Sequence, residues 1–424
     1  MTTLLSRNRD YRLLWGGQVI SETGFSTSMI AFPLLVLAVT GSAAQSGLVL
    51  GAVAIAQLAA GLPAGALVDR WNRKKIMLAC EAVQGLAAAA LVAALWWGVA
   101  NVAMMIAVAA VMGLCRALFE PAEEASLPRL VTVDQVPSAV AMNAARSSAG
   151  QLSGTALGGF LFALGRMVPF VFDAIAHVVA FVALLFVRLP PKPIEHRTAT
   201  PHLGREIVAG LRWVWRQPHV RITAVCAICL NLFFSAYYLV IIVLADSRGV
   251  PAGEIGVMAA MLGGGGILGA LAAPYLHRKL SPYVMIISVF WALTVLTPLA
   301  VFVHNGYLMG LLFAAMAFLP PAANTTISTY QLLLTPDALR GRLGGVMGVT
   351  GGLAAAAGPA LGGWLVDALP GATAVLVCAG AIAVVTLLAT FNPTLRRFPR
   401  RIDETAADLP EKTEMLDTKG KSNG

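Results

Sequence analysis

The sequence predicts an all-α integral membrane protein in which twelve helices cross the membrane as two six-helix repeats. Three observations carry this prediction: 58% of the residues are hydrophobic, only 12% are charged, and the hydrophobic residues fall in long runs. A soluble domain carries about 25% charged residues, and a membrane-spanning helix needs about 20 apolar ones. The mean hydropathy of +0.77 therefore excludes a water-soluble fold.

Apolar runs bounded by charge, proline or glycine define the spans in order along the chain. The twelve predicted spans cover residues 12–39, 46–68, 76–98, 102–120, 138–164, 168–187, 219–245, 253–276, 283–303, 307–332, 342–367 and 371–391. The first run is too long for a signal peptide, whose apolar region covers about 7–15 residues. We therefore interpret it as a retained first helix.

The distribution of positive charge predicts the orientation of the chain. Because the number of spans is even, both termini lie on the same side of the membrane. All Lys and Arg except Arg116, Arg146, Arg166 and Arg248 fall in segments on that side. Short loops rich in Lys and Arg stay in the cytoplasm, so we expect a multi-pass protein of the cytoplasmic (plasma) membrane with both termini cytoplasmic.

An internal repeat divides the chain into two halves. Gly65 and Gly158 each have a counterpart 204 residues later, at Gly269 and Gly362. A constant offset on two helix pairs indicates a duplicated six-helix unit, and such parallel repeats occur in secondary transporters. We predict an N-terminal six-helix half over 1–187, a cytoplasmic linker over 188–218, a C-terminal six-helix half over 219–395 and a disordered cytoplasmic tail over 396–424.

A charged loop between the second and third spans resembles a known signature. Residues that match the pattern Gly-x-x-x-Asp-Arg-x-Gly-Arg-Lys-Lys are Gly65, Asp69, Arg70, Arg73, Lys74 and Lys75, and Asn72 stands where the pattern has Gly. The loop is similar to that of major facilitator superfamily transporters. With Tyr11–Gln18 and Phe119–Ala122, the chain most resembles bacterial twelve-helix exporters of the macrolide-efflux and enterobactin-exporter type.

This resemblance implies a latch that closes the cytoplasmic side. A four-residue spacing puts Gly65 and Asp69 on one helix face, and Asp69 can accept hydrogen bonds from the start of the eleventh helix near Arg342. Arg70 or Arg73 can pair with acids at the end of the fourth helix. The predicted gating latch comprises Gly65, Asp69, Arg70, Arg73, Glu120, Glu123 and Arg342. The alternative is that the loop only sets the topology.

Charged residues inside predicted spans are costly in a bilayer and suggest a functional role. We predict that Glu22, Asp173 and Arg116 take part in proton coupling, because a carboxylate in a partly dry cavity can exchange protons with a substrate. Glu81 lies nearer the membrane interface. Arg116 could instead simply pair with Glu120, four residues further along the same helix.

The first, fourth, seventh and tenth helices line the substrate cavity in the superfamily that the chain resembles. The predicted cavity residues are Phe25, Asn231, Phe234, Tyr237, Tyr238, Asn324, Thr325 and Gln331. Aromatic bodies with a few polar groups suit a bulky amphipathic ligand. The alternative is that each of these side chains faces lipid or the protein core.

Small residues in the fifth and eleventh spans predict close helix packing. Gly154 and Gly158, and likewise Gly358 and Gly362, follow a four-residue spacing that lets backbones approach each other. The resemblance associates this motif in the fifth helix with antiporters, although Thr155 stands where the motif usually has Pro. Plain helix packing is the alternative.

These features predict a proton-coupled exporter of a lipophilic small molecule, such as a drug, a macrolide-like natural product or a siderophore. It would act as a monomer by alternating access, with the substrate, protons and the lipid bilayer as its partners and no nucleic acid. The sequence shows neither a nucleophile–base constellation nor a metal-ligand spacing, so we expect no catalytic residue, cofactor or metal. The alternatives are an importer or facilitator of a small metabolite and a non-transporting membrane sensor.

Overall fold

The computed structural model describes residues 7–132, 135–189, 212, 214–335 and 337–396. Every regular element in these ranges is helical. The helices of the first half are α1 (Arg9–Thr40), α2 (Ala43–Arg70), α3 (Arg73–Trp96), α4 (Val102–Leu130), α5 (Val136–Leu164) and α6 (Val168–Phe186). The predicted linker and tail fall largely outside the described residues.

The second half continues the same up-and-down arrangement. Its helices are α7 (Pro218–Ser247), α8 (Ala252–Lys279), α9 (Pro282–Leu296), α10 (Gly306–Phe318), α11 (Pro320–Leu334), α12 (Asp337–Ala368), α13 (Gly371–Phe391) and the short α14 (Pro393–Arg396), with a 3-10 turn at Thr297–Val301 after α9. Helices α10 and α11 together form the tenth span, and α12 and α13 are the eleventh and twelfth spans.

Local sequence explains where several helices begin. The side chains of Asn8, Ser42, Asn72 and Asn101 each accept a hydrogen bond from a backbone N–H in the first turn of the helix that follows. Such caps satisfy donors that have no partner inside the helix. Gly41 has a φ of 70°, which favours glycine, and it ends α1 so that the chain can turn directly into α2.

Eleven helical segments in the described part of the chain are long and apolar enough to cross a membrane. Helix α5, which carries the buried Arg146, brings the bundle to twelve. The prediction of an all-α membrane protein with two six-helix repeats is confirmed.

One predicted span boundary was wrong, and one predicted span contains an interruption. The fourth span was expected to end at residue 120, but α4 continues to Leu130 through Pro121 and Pro128. Its buried face continues over the additional turns, through Glu123 to Leu127, and this packing outweighs the proline breaks. The tenth span is also interrupted, because α10 ends at Phe318 and α11 starts with a pair of prolines that lack the N–H needed to continue a helix.

Two helix pairs join the halves. Helix α2 packs along α12, where Gly47 lies directly on the backbone of Pro359, and α5 packs along α8, where Gly159 faces Gly256. A Cβ at either Gly47 or Gly159 would collide with the backbone of the facing helix. The missing side chains therefore let the two halves touch along their backbones.

Candidate functional site

A cavity of about 500 Å³ opens between α1, α3, α4, α5 and α6. It lies wholly within the first half of the chain. Its polar lining consists of Gln18, Ser21, Glu22, Glu81, Gln84, Glu120, Glu123, Glu124, Arg116, Asn143, Arg146, Ser147 and His177. Its apolar lining consists of Phe25, Phe119, Leu127, Val140 and Ala144. The five glutamates outnumber the two arginines, so the cavity is acidic.

Arg116 of α4 bridges two carboxylates in this cavity. It lies 3.0 Å from Glu22 of α1 and 2.8 Å from Glu120, one turn further along α4. The guanidinium also lies 4.6 Å from the ring centre of Phe25, a cation–π distance. The structure therefore contains both contacts considered for Arg116, the one with Glu22 and the one with Glu120. One positive charge is shared between two negative ones.

A second ion pair links α4 to α5. Arg146 donates to both carboxylate oxygens of Glu123, and its Nη2 lies 2.9 Å from Oε2. Both side chains are almost fully buried. Asn143 adds a longer contact of 3.4 Å to the same carboxylate. A two-pronged arginine–carboxylate pair in a dry site fixes the relative position of two helices.

The most deeply buried charged cluster, and one that the sequence analysis missed in part, joins α3 to α6. His177 Nδ1 lies 2.8 Å from Glu81 Oε2, and His177 Nε2 lies 3.3 Å from Asp173 Oδ1. No more than 1% of any of the three side chains is exposed. Asp173 was a predicted coupling residue, whereas His177 was not. Its four-residue spacing from Asp173 on an apolar helix was the available signal.

Polar groups of α1 surround this cluster. Gln18 donates to Glu81 at 2.7 Å, and Ser21 lies 3.2 Å from both Glu81 Oε2 and His177 Nδ1. Further along α1, Ser28 donates to Asp173 Oδ2 at 2.7 Å. Helix α1 therefore supplies hydrogen-bond donors to both acids of the cluster.

The predicted latch is described only in part. The side chains of Gly65, Asp69 and Arg342 lie outside what the structure describes. Arg73 donates to the backbone carbonyl of Ala125 near the end of α4. Arg70 is exposed. The other two latch residues, Glu120 and Glu123, contact the arginines of the cavity.

A contact between the halves lies at the end of the bundle opposite the predicted latch. Asp367, at the end of α12, accepts a hydrogen bond from Ser42 Oγ at 2.7 Å. It also accepts from the backbone N–H groups of Ala43 at 2.8 Å and Ala44 at 3.0 Å, in the first turn of α2. A carboxylate is favoured at the positive end of a helix. Asp69 was predicted to make this type of contact at the other end of the same helix pair.

The predicted cavity residues of the second half occupy two different environments. Tyr237 is buried, stacks on Phe233 at 5.3 Å and donates to the carbonyl of Thr297 at 3.1 Å. Phe234 packs edge-on against Phe233. Tyr238 stacks at 6.3 Å on Phe313 of α10. These rings form an aromatic layer between α7 and α10.

The remaining predicted cavity residues are polar. Gln331 is buried and donates to Thr223 Oγ1 at 3.2 Å, which links α11 to α7. Asn231, Asn324 and Thr325 are exposed. Of the predicted cavity residues, Phe25 alone lines the described cavity.

The predicted packing glycines lie at equivalent helix contacts in the two halves. Gly154 and Gly158 of α5 face the backbone of α1 at Thr23 and Thr27. Gly358 and Gly362 of α12 face the backbone of α7, around residues 232–236. The internal repeat therefore has the same close contact twice, between the fifth and first helices of each half.

A twelve-helix bundle of two joined six-helix repeats, with charged groups around a cavity in its interior, is the architecture of a secondary membrane transporter. Residues 14–330 match the sequence profile described as Major Facilitator Superfamily. The chain belongs to this superfamily, and it is a transporter rather than an enzyme.

Two relatives with assigned functions are exporters. The multidrug efflux pump Tap of Mycolicibacterium fortuitum is 31% identical over 396 residues, which cover 88% of this chain and 93% of the relative. The enterobactin exporter EntS of Escherichia coli O1:K1 / APEC is 25% identical over 403 residues, which cover 93% of this chain and 95% of the relative.

Solved structures share the fold at low sequence identity. The nucleoside transporter NupG superposes with a TM-score of 0.73 at 14% identity, covering 92% of this chain and all of that one. A bacterial homologue of the iron transporter ferroportin in an inward-facing state superposes with a TM-score of 0.65, also at 14% identity, covering 90% of this chain and 98% of that one.

Proposed function

We propose that the protein exports a lipophilic small molecule across the cytoplasmic membrane and that inward proton movement drives the export. The observation that carries this proposal is the bridge from Glu22 through Arg116 to Glu120 on the wall of the 500 Å³ cavity. Charged groups inside a membrane are retained mainly where they serve transport. Both relatives named above are exporters, which supports the outward direction.

The lining of the cavity favours a cationic lipophile. Phe25, Phe119 and Leu127 supply apolar surface, while five glutamates face two arginines. An acidic pocket with aromatic walls attracts an amphipathic cation and disfavours a polyanion. We therefore favour drugs and macrolide-like compounds with a basic amine over an anionic siderophore.

Proton and substrate compete for the same charges in this mechanism. When Glu22 is ionised, Arg116 holds α1 against α4 through the 3.0 Å contact. A proton on Glu22 removes that attraction, and a cationic substrate near Glu22 and Glu120 also weakens it. Binding of one ligand therefore opposes binding of the other, which is the requirement for exchange.

Alternating access requires one end of the bundle to be closed at a time. The contact of Asp367 with Ser42 closes the end opposite the termini. With cytoplasmic termini, that end faces outward, and the cavity is accessible from the cytoplasm. The helices of one six-helix half enclose this cavity, which is compatible with the proposed action as a monomer.

Everted membrane vesicles with ethidium as the probe test this proposal. The wild type is expected to accumulate ethidium when the vesicles are energised and to lose this accumulation on addition of a protonophore. E22Q removes the charge that Arg116 holds and is expected to abolish the protonophore-sensitive part. E254Q, at a glutamate of α8 outside this cavity, is the matched control and should keep it.

Two outcomes would contradict the proposal. Protonophore-insensitive accumulation by the wild type would refute proton coupling. Proton-driven loss of ethidium from everted vesicles would instead indicate an importer, because the direction would be reversed.

A further inference from the structure

We propose that Glu81, His177 and Asp173 form a second proton-binding site, which acts together with Glu22 in the transport cycle. This inference rests on the proposed proton-coupled function and names further groups that take part in it. The three side chains are fully buried, and His177 lies between the two acids with a carboxylate at each ring nitrogen. It lies nine residues from either end of α6, at the middle of the span.

The geometry defines the charge of the cluster. A neutral imidazole has one N–H donor, whereas the protonated ring has two. His177 Nδ1 is hydrogen-bonded to Glu81 at 2.8 Å, whereas His177 Nε2 lies 3.3 Å from Asp173 Oδ1 at an ion-pair distance but without hydrogen-bond geometry. A positively charged ring suits a site with a carboxylate on either side. Gln18 and Ser28 donate to Glu81 and Asp173, which suits ionised carboxylates. The cluster then carries two negative charges and one positive charge.

A net charge of minus one buried in the membrane is unfavourable, and one more proton neutralises it. The proton passes from water in the cavity to a carboxylate oxygen, where an O–H bond forms, and it returns to water when that bond breaks. No electron is transferred. Glu81 and His177 lie at the wall of the cavity, so the buried cluster borders the space from which a proton can reach it.

Neighbouring charges do not neutralise the cluster. The other titratable or charged groups on the surrounding helices are Glu22 on α1, Cys80 on α3, Cys115, Arg116, Glu120, Glu123 and Glu124 on α4, and Arg146 on α5. In the described contacts, Arg116 is shared by Glu22 and Glu120, and Arg146 is held by Glu123. Both arginines therefore form ion pairs with carboxylates outside the cluster.

Small residues make room for this site. A Cβ at Gly24 of α1 would lie 2.8 Å from Asp173 Oδ1 and 2.7 Å from Ala176 Cβ. A Cβ at Gly85 of α3 would lie 3.3 Å from His177 Cβ. Helices α1 and α3 thus approach α6 closely at the cluster, which allows three polar side chains to be enclosed between them.

Helix α1 connects this site to the cavity. It supplies the donors Gln18, Ser21 and Ser28 to the cluster, and it carries Glu22, which Arg116 holds. A cationic substrate in the cavity, which Glu81 and His177 also line, favours the ionised carboxylates and so promotes release of the proton. Substrate binding in the cavity can therefore change the proton affinity of the cluster.

The test uses the purified full-length protein in proteoliposomes, with ethidium as the probe. H177Q is expected to reduce pH-gradient-driven accumulation to the level reached without a gradient, while ethidium counterflow, which needs no net proton movement, persists. H304Q changes an exposed histidine and is the matched control, with wild-type behaviour expected. In detergent, ethidium binding should release protons from the wild type and from H304Q but not from H177Q.

Separate outcomes address the two proposals. Gradient-driven accumulation and proton release that persist in H177Q would overturn the assignment of the proton site and leave proton-coupled export intact. If accumulation by the wild type does not depend on the pH gradient, both the proton site and proton-coupled export are overturned. If H177Q fails to insert, infrared spectra of the wild type and of the double variant E81Q/D173N are compared during acidification. A band of a buried carboxylic acid that appears in the wild type but not in the double variant supports the proton site. The same band in both proteins overturns it.

Discussion

The contact between Asp367 and the first turn of α2 gives the sharpest prediction about conformational equilibrium. D367A removes three hydrogen bonds, from Ser42 Oγ, Ala43 N and Ala44 N, that join the two halves at the end opposite the termini. Hydrogen bonds to a charged group contribute about 1.5–3 kcal/mol when they are buried, and a carboxylate at a helix start contributes about 0.3–1 kcal/mol when exposed. Asp367 is exposed, so the lower range applies.

We therefore expect D367A to destabilise the closed end by about 0.3–1 kcal/mol, which changes the ratio of closed to open states by about two- to fivefold. Ser42 retains its own hydrogen bond to Gln45, so α2 keeps its side-chain cap in the variant. The loss therefore falls on the contact between the halves.

Pulsed electron paramagnetic resonance measures this shift directly. Spin labels at Val99 and Phe302, two exposed positions at this end on different halves, report the distance between the halves. D367A should add a longer distance component. D246N changes an acid at the same end and is the control. A distance distribution in D367A that equals those of the wild type and D246N would refute the reasoning.

Two further predictions concern stability. R146A leaves the carboxylate of Glu123 buried and without its arginine partner, so we expect the free energy of unfolding to fall by about 3–5 kcal/mol. The melting temperature in detergent should fall accordingly and recover in part in E123M/R146M. A melting temperature of R146A equal to that of the wild type would contradict the burial of this ion pair. G158A forces a methyl group against Thr27 and Ile30 of α1, so a loss of about 1–3 kcal/mol is expected, whereas G16A, where a Cβ meets open space, should have no effect. Equal melting temperatures for the two glycine variants would contradict the close contact of α1 with α5.

Local patterns were sufficient to predict the fold because a transmembrane helix is defined by its own run of apolar residues. The errors occurred where packing overrides local preference. Pro121 and Pro128 suggested a helix end, yet α4 continues through both because its buried face extends to Leu130. The proline pair after α10 had the opposite effect and divided the tenth span. A single sequence does not distinguish these two outcomes.

The polar sites were predictable only where both partners lie on one helix. The contact of Arg116 with Glu120 follows from a four-residue spacing, and Asp173 with His177 has the same spacing. The contact of Glu81 with His177 joins residues 96 positions apart and depends on the rotation of α3 against α6. Composition and periodicity do not fix that rotation, so the cluster became visible only in the folded chain.

The two halves share the same close helix contacts but differ in the polar side chains between their helices. The contact of α5 with α1 through Gly158 is repeated in the contact of α12 with α7 through Gly362. The described cavity and both of its ion-pair groups belong to α1–α6, whereas the matching region around α7 presents the aromatic rings of Phe233 and Tyr237. Close helix contacts constrain the backbones but not the side chains that line the space between helices. A duplicated bundle can therefore keep the same helix contacts in both halves while the charged cavity residues lie in one half.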